Sequence, residues 1–141
     1  MIVSVKEVIN IYSGSKEFNG LGASLTNPTE LSYKKGNIKR HYHVEFRGRK
    51  HRDAETAFWK HVKGLSFEEQ QILCTEIIVA KLNQYPELVK AIDQHGGVKW
   101  LEKCRHFTGA RSEKFKQWEG HGKNSAFIRC LINAYKRIKT K

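Results

Sequence analysis

Two stretches of this chain carry residue types that can do chemistry. The first is Asp53-Ala-Glu55, with Phe58 and Trp59 one turn further on. Asp53 reads as an N-cap, which puts Glu55 in the first turn of a helix, where the dipole favours a carboxylate. An aromatic wall of Phe58 and Trp59 would shield that carboxylate and raise its pKa towards that of a working base. An ordinary first-turn glutamate on a solvated helix is the other reading of the same residues. The second stretch is Trp118–Asn124 (WEGHGKN), which runs directly into SAFIRCLINAY. A basic, Gly-containing turn ahead of an amphipathic helix exposes backbone N–H groups that attract phosphates, and glycines remove the side chains that would block close approach. Gly120, Gly122, Lys123 and Asn124 are therefore a candidate phosphate cradle. Trp118 beside them is a candidate base-stacking wall.

Other chemistries find less support. Seven histidines are present, with His41 and His43 on one strand face and His106 two residues after Cys104. None has zinc-finger or HExxH spacing, so no metal is expected. No GxSxG, Walker or GxGxxG pattern occurs, and no cofactor is expected. Cys74, Cys104 and Cys130 are an odd count without CxxC spacing and fit reduced, mostly buried thiols. No apolar run approaches a membrane span, and residues 1–30 lack the regions of a signal peptide, so a cytoplasmic protein without membrane partners is expected.

Charge points to the partner. The net charge is +12 over 141 residues. Residues 34–52 carry eight Lys/Arg against one acid, and residues 99–141 carry twelve against three. Residues 53–98 carry four against seven. Basic charge on two segments that spares the middle suggests a polyanion, although a solubility surface would look the same.

The elements that must position these groups follow from periodicity. A chain of this length forms one domain with a real core. Glu7–Tyr12 alternates and reads as a strand. Ser13–Glu30, with Gly14, Gly20, Gly22 and Asn27-Pro28, reads as a loop or short helical turns. His41–Phe46 and Arg49–His51 read as two strands around an Arg47-Gly48 turn. A helix is predicted from Ala54 to about Lys63, ended by Gly64. Ser66–Glu69 matches a capping box and opens a helix to about Asn83. Pro86–Gln94 reads as a helix stopped by Gly96-Gly97. Val98–Phe107 reads as a strand with Trp100 in the core, and His106–Lys123 as a long polar loop. Asn124 is the expected cap of the last helix. The class is α+β, mainly helical with a small sheet.

Four blocks, in order, resemble the NADAR superfamily, the YbiA-like proteins. Asn10-Ile-Tyr-Ser13 with Gly20–Asn27 (GLGASLTN) is similar to the family's opening strand and loop. Phe46–Arg49 (FRGR) followed by Ala54-Glu55 resembles the block around the family's glutamate. Ala80–Leu88 (AKLNQYPEL) resembles its AK(F)-x-Q block, and Trp118–Asn124 its W-G-D-G … G-K-N block. The chain departs from the pattern in places: Trp59 stands where the family has Gln, Ser-Ala-Phe-Ile-Arg129 replaces its Leu-Gly, the family lysine corresponds to Lys63 or Lys60, and Glu119 is the rough counterpart of its Asp.

The resemblance implies a YbiA-like fold and cleavage of a bond between ribose C1 and a nitrogen. Such proteins hydrolyse riboflavin-pathway intermediates or remove ADP-ribose from guanine bases in DNA. Here it implies Glu55 as base and charge stabiliser, Lys63 or Lys60 polarising water or the leaving group, and Asn10, Tyr12, Ser13, Gly22 and Asn27 at the ribose end. Trp118, Glu119, Gly120, Gly122, Lys123 and Asn124 would hold base and phosphate. With the charge, the expected partner is ADP-ribosylated nucleic acid or an ADP-ribose-type nucleotide. The other readings are a binder of ADP-ribose or NAD without turnover and a basic nucleic-acid module.

Overall fold

Helix α4 (Phe67–Gln84) and helix α8 (Ala126–Lys139) pack along each other and organise the core. A computed structural model describes residues 8–109 and 112–140. Ser66 caps α4 by accepting from the Glu69 N–H while the Glu69 carboxylate accepts from the Ser66 N–H, the expected capping box. Ile77, Ile78 and Leu82 from α4 meet Ile128, Leu131 and Ile132 from α8 in one apolar cluster that also takes in Trp100. The fold is α+β and mainly helical, with two small two-stranded sheets. Among the described residues no helix is long and apolar enough to cross a membrane.

The helices α1 (Glu17–Leu25) and α2 (Thr29–Lys34) lie in the Gly-rich stretch. Phe18, Asn19 and Gly20 adopt left-handed backbone at the start of α1. Gly20 is needed there, because a Cβ would stand 2.3 Å from the Asn37 carbonyl. Strands β1 (Val44–Phe46) and β2 (Arg49–His51) pair antiparallel around Arg47 and Gly48, both at positive φ. Helix α3 (Ala54–His61) follows, two residues shorter than predicted, with Asp53 as its cap. Helix α5 (Pro86–His95) ends at Gly96, which has a positive φ.

Several expectations change. The strand predicted over Val98–Phe107 is helix α6 (Val98–Lys103) and then β3 (Arg105–His106). Gly97 turns the chain into the helix, and Trp100 and Leu101, adjacent in sequence, are both fully buried. Adjacent burial suits a helix inside a core, and a short apolar run cannot separate the two periods. The predicted Glu7–Tyr12 strand reduces to a single bridge, Asn10 to Arg105, parallel to β3. The Ile11 N–H donates to Arg105 at 2.8 Å and the Arg105 N–H to Ile9 at 3.0 Å. Ile9 and Ile11 are both buried, as the alternation requires. Glu7 lies outside the described residues, as do 110 and 111 of the predicted long loop. That loop contains a short helix α7 (Glu113–Lys116) and strand β4 (Gly120–His121), which pairs with β3.

The last helix is capped by Ser125 rather than Asn124. Ser125 Oγ accepts from the Ile128 N–H, and Asn124 belongs to a 3-10 turn, Gly122–Asn124.

Candidate active site

The Asp53 carboxylate fixes the corner on which the site is built. Its Oδ1 accepts from Thr56 N–H and Thr56 Oγ1, both at 2.8 Å, and its Oδ2 accepts from the Glu30 N–H at 3.0 Å. One buried carboxylate thus ties the start of α3 to α2. A second tie crosses the same gap: the Glu55 N–H donates to the Asn27 carbonyl at 3.1 Å. Asn27 and Glu55, far apart in sequence, become neighbours.

Behind them stands Lys81, a lysine only 1% exposed. Its Nζ donates to the Ser24 carbonyl at 2.5 Å and the Thr26 carbonyl at 2.7 Å. Burial lowers its pKa to about 7, against the pull of Asp53 towards the charged form. Lys81 therefore holds the segment leading into Asn27 from within the core.

These ties frame a cavity of about 760 Å³, within the range of small-molecule sites. Glu55, Asn27 and Cys74 lie on one wall, and Phe58, Trp59 and Trp118 form an aromatic side. Lys35 and Lys63 bring cations to its lining, which also includes His106 and Glu119. The Asn27 Nδ2 donates to Cys74 Sγ at 3.4 Å, and its Oδ1 is buried with no partner among the described residues.

Glu55 has the environment its neighbours suggest. Burial raises its pKa, the nearby Asp53 charge adds to the rise, and the Trp59 N–H bond to Oε1, 2.6 Å, opposes it. Its carboxyl is therefore poised closer to neutrality than a solvated one, which suits proton transfer. His106 donates from Nδ1 to the Ile11 carbonyl at 2.6 Å if protonated there, and its ring lies against Phe127. Burial lowers its pKa, against the Ile11 bond and Glu119, so it is held neutral. The Cys74 thiol is raised well above its ordinary value by its hydrogen bond with Cys130 and by burial. Both effects favour the thiol over the thiolate.

Of the residues singled out by sequence for the site, eight line the cavity: Glu55, Phe58, Trp59, Lys63, Ser13, Asn27, Trp118 and Glu119. Ser13 Oγ accepts from Lys35 Nζ at 3.0 Å. Glu119 Oε2 accepts from the Thr108 N–H and from Thr108 Oγ1. Trp118 is half-buried, edge-on to Phe58 and Phe67 with centroids 5.7 and 5.4 Å apart.

The others do not lie on the cavity wall. Lys60 is exposed on α3. The Asn10 side chain brackets Phe107, donating to its carbonyl at 3.0 Å and accepting from its N–H at 2.8 Å. Tyr12 leans over Gly14, and Gly22 packs on Ser15 and the Asn10 carbonyl. The glycines of the expected phosphate cradle face their own chain. A Cβ on Gly122 would stand 2.0 Å from the Glu102 carbonyl, and one on Gly120 2.9 Å from the Asn124 backbone. The Gly122 N–H donates to Cys104 at 2.7 Å. Lys123 pairs with Glu102 at 2.7 Å, and Asn124 is exposed.

Sequence reasoning passed over Lys35, Cys74 and His106 as cavity residues, and Lys81. It placed Trp59 beside Glu55, and their spacing of four residues puts both on one helix face. One of the missed residues left a signal. Lys81 is a lone charge among the apolar positions of α4. The chain matches no protein-family model, no curated protein and no solved structure in the three comparisons made.

Proposed function

We propose that the protein is an N-glycosidic hydrolase that removes ADP-ribose from a modified, guanine-type base in nucleic acid. The observation that carries this reading is Glu55: a carboxylate with a raised pKa, on an aromatic-walled cavity that also presents Asn27 and two lysines. Cleaving a ribose–nitrogen bond makes C1 oxocarbenium-like, and a nearby carboxylate stabilises that charge. Glu55 takes a proton from water, the water oxygen bonds to C1, and the C1–N pair of electrons leaves with the base nitrogen. The proton that Glu55 accepts is then available to the leaving nitrogen. Asn27 lies at the ribose end, and Lys35 and Lys63 meet the pyrophosphate.

The resemblance to NADAR proteins supports the same chemistry, since the positions it assigns at Ser13, Asn27, Glu55, Trp118 and Glu119 share one cavity. The net charge of +12 favours a lesion carried on a polyanion over a small riboflavin-pathway intermediate. The test compares ADP-ribosylated guanosine with the same lesion inside an oligonucleotide. Faster release of ADP-ribose from the oligonucleotide, and a rate that falls with added salt, support the reading. Equal efficiency on both points to a small-molecule substrate, and binding without release of product points to a nucleotide binder.

A further inference from the structure

Trp59 is a large aromatic residue, 47% exposed, on a helix face where a solvated side chain would cost less. Its ring contributes little to the core, yet its single N–H is spent on Glu55 Oε1 at 2.6 Å. The i, i+4 spacing on α3 brings the two side chains together. Phe58 and Phe115 meet the indole edge-on, with centroids 5.5 and 6.0 Å away. Those contacts fix the ring's tilt without covering it. Trp118, by comparison, is wedged between two phenylalanines.

We infer that Trp59 is the positioning residue of Glu55, holding its carboxylate through the indole N–H, and that its exposed ring receives the base of the nucleotide. This rests on the reading of Glu55 as the base of the site. A donor to a carboxylate favours the ionised form, so Trp59 works against the burial that drives Glu55 towards its neutral form. The other charged or titratable groups near Glu55 or on the cavity lining are Asp53 at the cap of its own helix, Cys74 on α4, Lys35 at the C-terminal end of α2, Lys63 beyond α3, His106 and Glu119. Asp53 raises the Glu55 pKa, which leaves the Trp59 bond as the side-chain hydrogen bond acting the other way. A planar ring at the mouth of a cavity lined by a base, an amide and lysines fits a purine, and stacking is tolerant of which base it meets.

The experiment needs no turnover for its first arm. The Glu55 carboxyl is followed by carbon NMR through a pH titration in wild type and in Trp59→Phe. The same titration with a benzothienyl side chain at position 59 keeps the indole shape and removes only the N–H, so it reads the bond even if phenylalanine perturbs packing. Both variants are expected to titrate at higher pH than wild type, and the low-pH limb of kcat is expected to move up with them while KM changes little. An unchanged titration overturns the positioning role, whether or not ADP-ribosylated guanosine is a substrate. In the second arm, ADP-ribose binding is measured by calorimetry with Trp59→Ala, where a loss of about tenfold or more is expected for one base stack. Wild-type affinity in that variant overturns the platform. Absence of turnover in wild type, with the titration shift intact, refutes the proposed reaction and leaves the role of Trp59 standing.

Discussion

The starts of helices α3 and α8 are built alike and used differently. Each is capped by a side chain, Asp53 accepting from Thr56 and Ser125 from Ile128. The Gly122–Asn124 turn leads into α8, whereas strand β2 leads into α3. At α3 the first turn ends on a cavity whose lining includes Glu55, Asn27, Phe58, Trp59 and Trp118. At α8 the glycines close against the carbonyl of Glu102 and the backbone of Asn124. The close approach that glycine permits is spent on the chain itself, leaving no open N–H cradle at Gly122. A helix start attracts an anion only where the fold leaves it open. What separates the two is what lies in front of each, and that is set by distant segments: Asn27 and Lys81 for α3, Glu102 and Cys104 for α8.

The comparison can be broken most sharply at Glu55. Replacing it with Gln is expected to lower turnover of ADP-ribosylated guanosine by roughly 10²–10⁴, as for loss of a general base, while ADP-ribose binding persists. The same change is expected to raise Tm by a few degrees at neutral pH. A carboxyl with a raised folded pKa costs stability once ionised, and that cost grows as pH rises through the raised pKa. Calorimetry of both proteins at pH 7 checks it.

At α8 the expected effect is on folding alone. Gly122→Ala meets both a positive φ and a carbonyl 2.0 Å away, so a loss of about 3 kcal/mol or more is expected. Gly64→Ala, on the cavity rim at a positive φ with nothing within 4 Å, is expected to cost only about 1–2 kcal/mol. Denaturant melts of the pair measure the difference.

Lys81 links the core to the site. Lys81→Met would leave the Ser24 and Thr26 carbonyls without their donor, and a loss of about 2 kcal/mol is expected. The lysine itself contributes a pH dependence. Between about 7 in the fold and 10.5 unfolded, the unfolded chain binds more protons, so this group's contribution to stability rises with pH across that window. The methionine variant should lose that slope.

The smallest effects concern the lysines. Lys35→Ala is expected to weaken ADP-ribose severalfold, and Lys123→Ala, whose partner is Glu102, to leave it unchanged. Isothermal titration in low salt resolves the two. Equal losses would show that the Gly122 turn shares in phosphate binding after all.

Local signals in the chain were informative where one segment decides its own structure. The capping box at Ser66, the Asp53 cap, the Arg47-Gly48 turn and the Gly96 stop are each readable because the backbone need and the residue that meets it are adjacent. The environment of Glu55 was partly readable for the same reason, since Phe58 and Trp59 lie within one turn. The strand expected over Val98–Phe107 failed because burial of Trp100 and Leu101 is decided by helices elsewhere. The phosphate cradle was misplaced because nothing in WEGHGKN reveals that Glu102 fills the space in front of Gly122. Lys35, Cys74 and His106 reach the cavity from three separate segments, and only tertiary packing joins them.

The Glu55 carboxylate is proposed to drive cleavage of a ribose–nitrogen bond in this cavity. Single-turnover release of free ADP-ribose from an ADP-ribosylated guanine in an oligonucleotide, followed by mass for wild type and Glu55→Gln, tests it most directly. Rapid release by wild type and retention of intact, bound substrate by the variant is the predicted result. Equal rates in the two proteins, or no release by wild type, would contradict it.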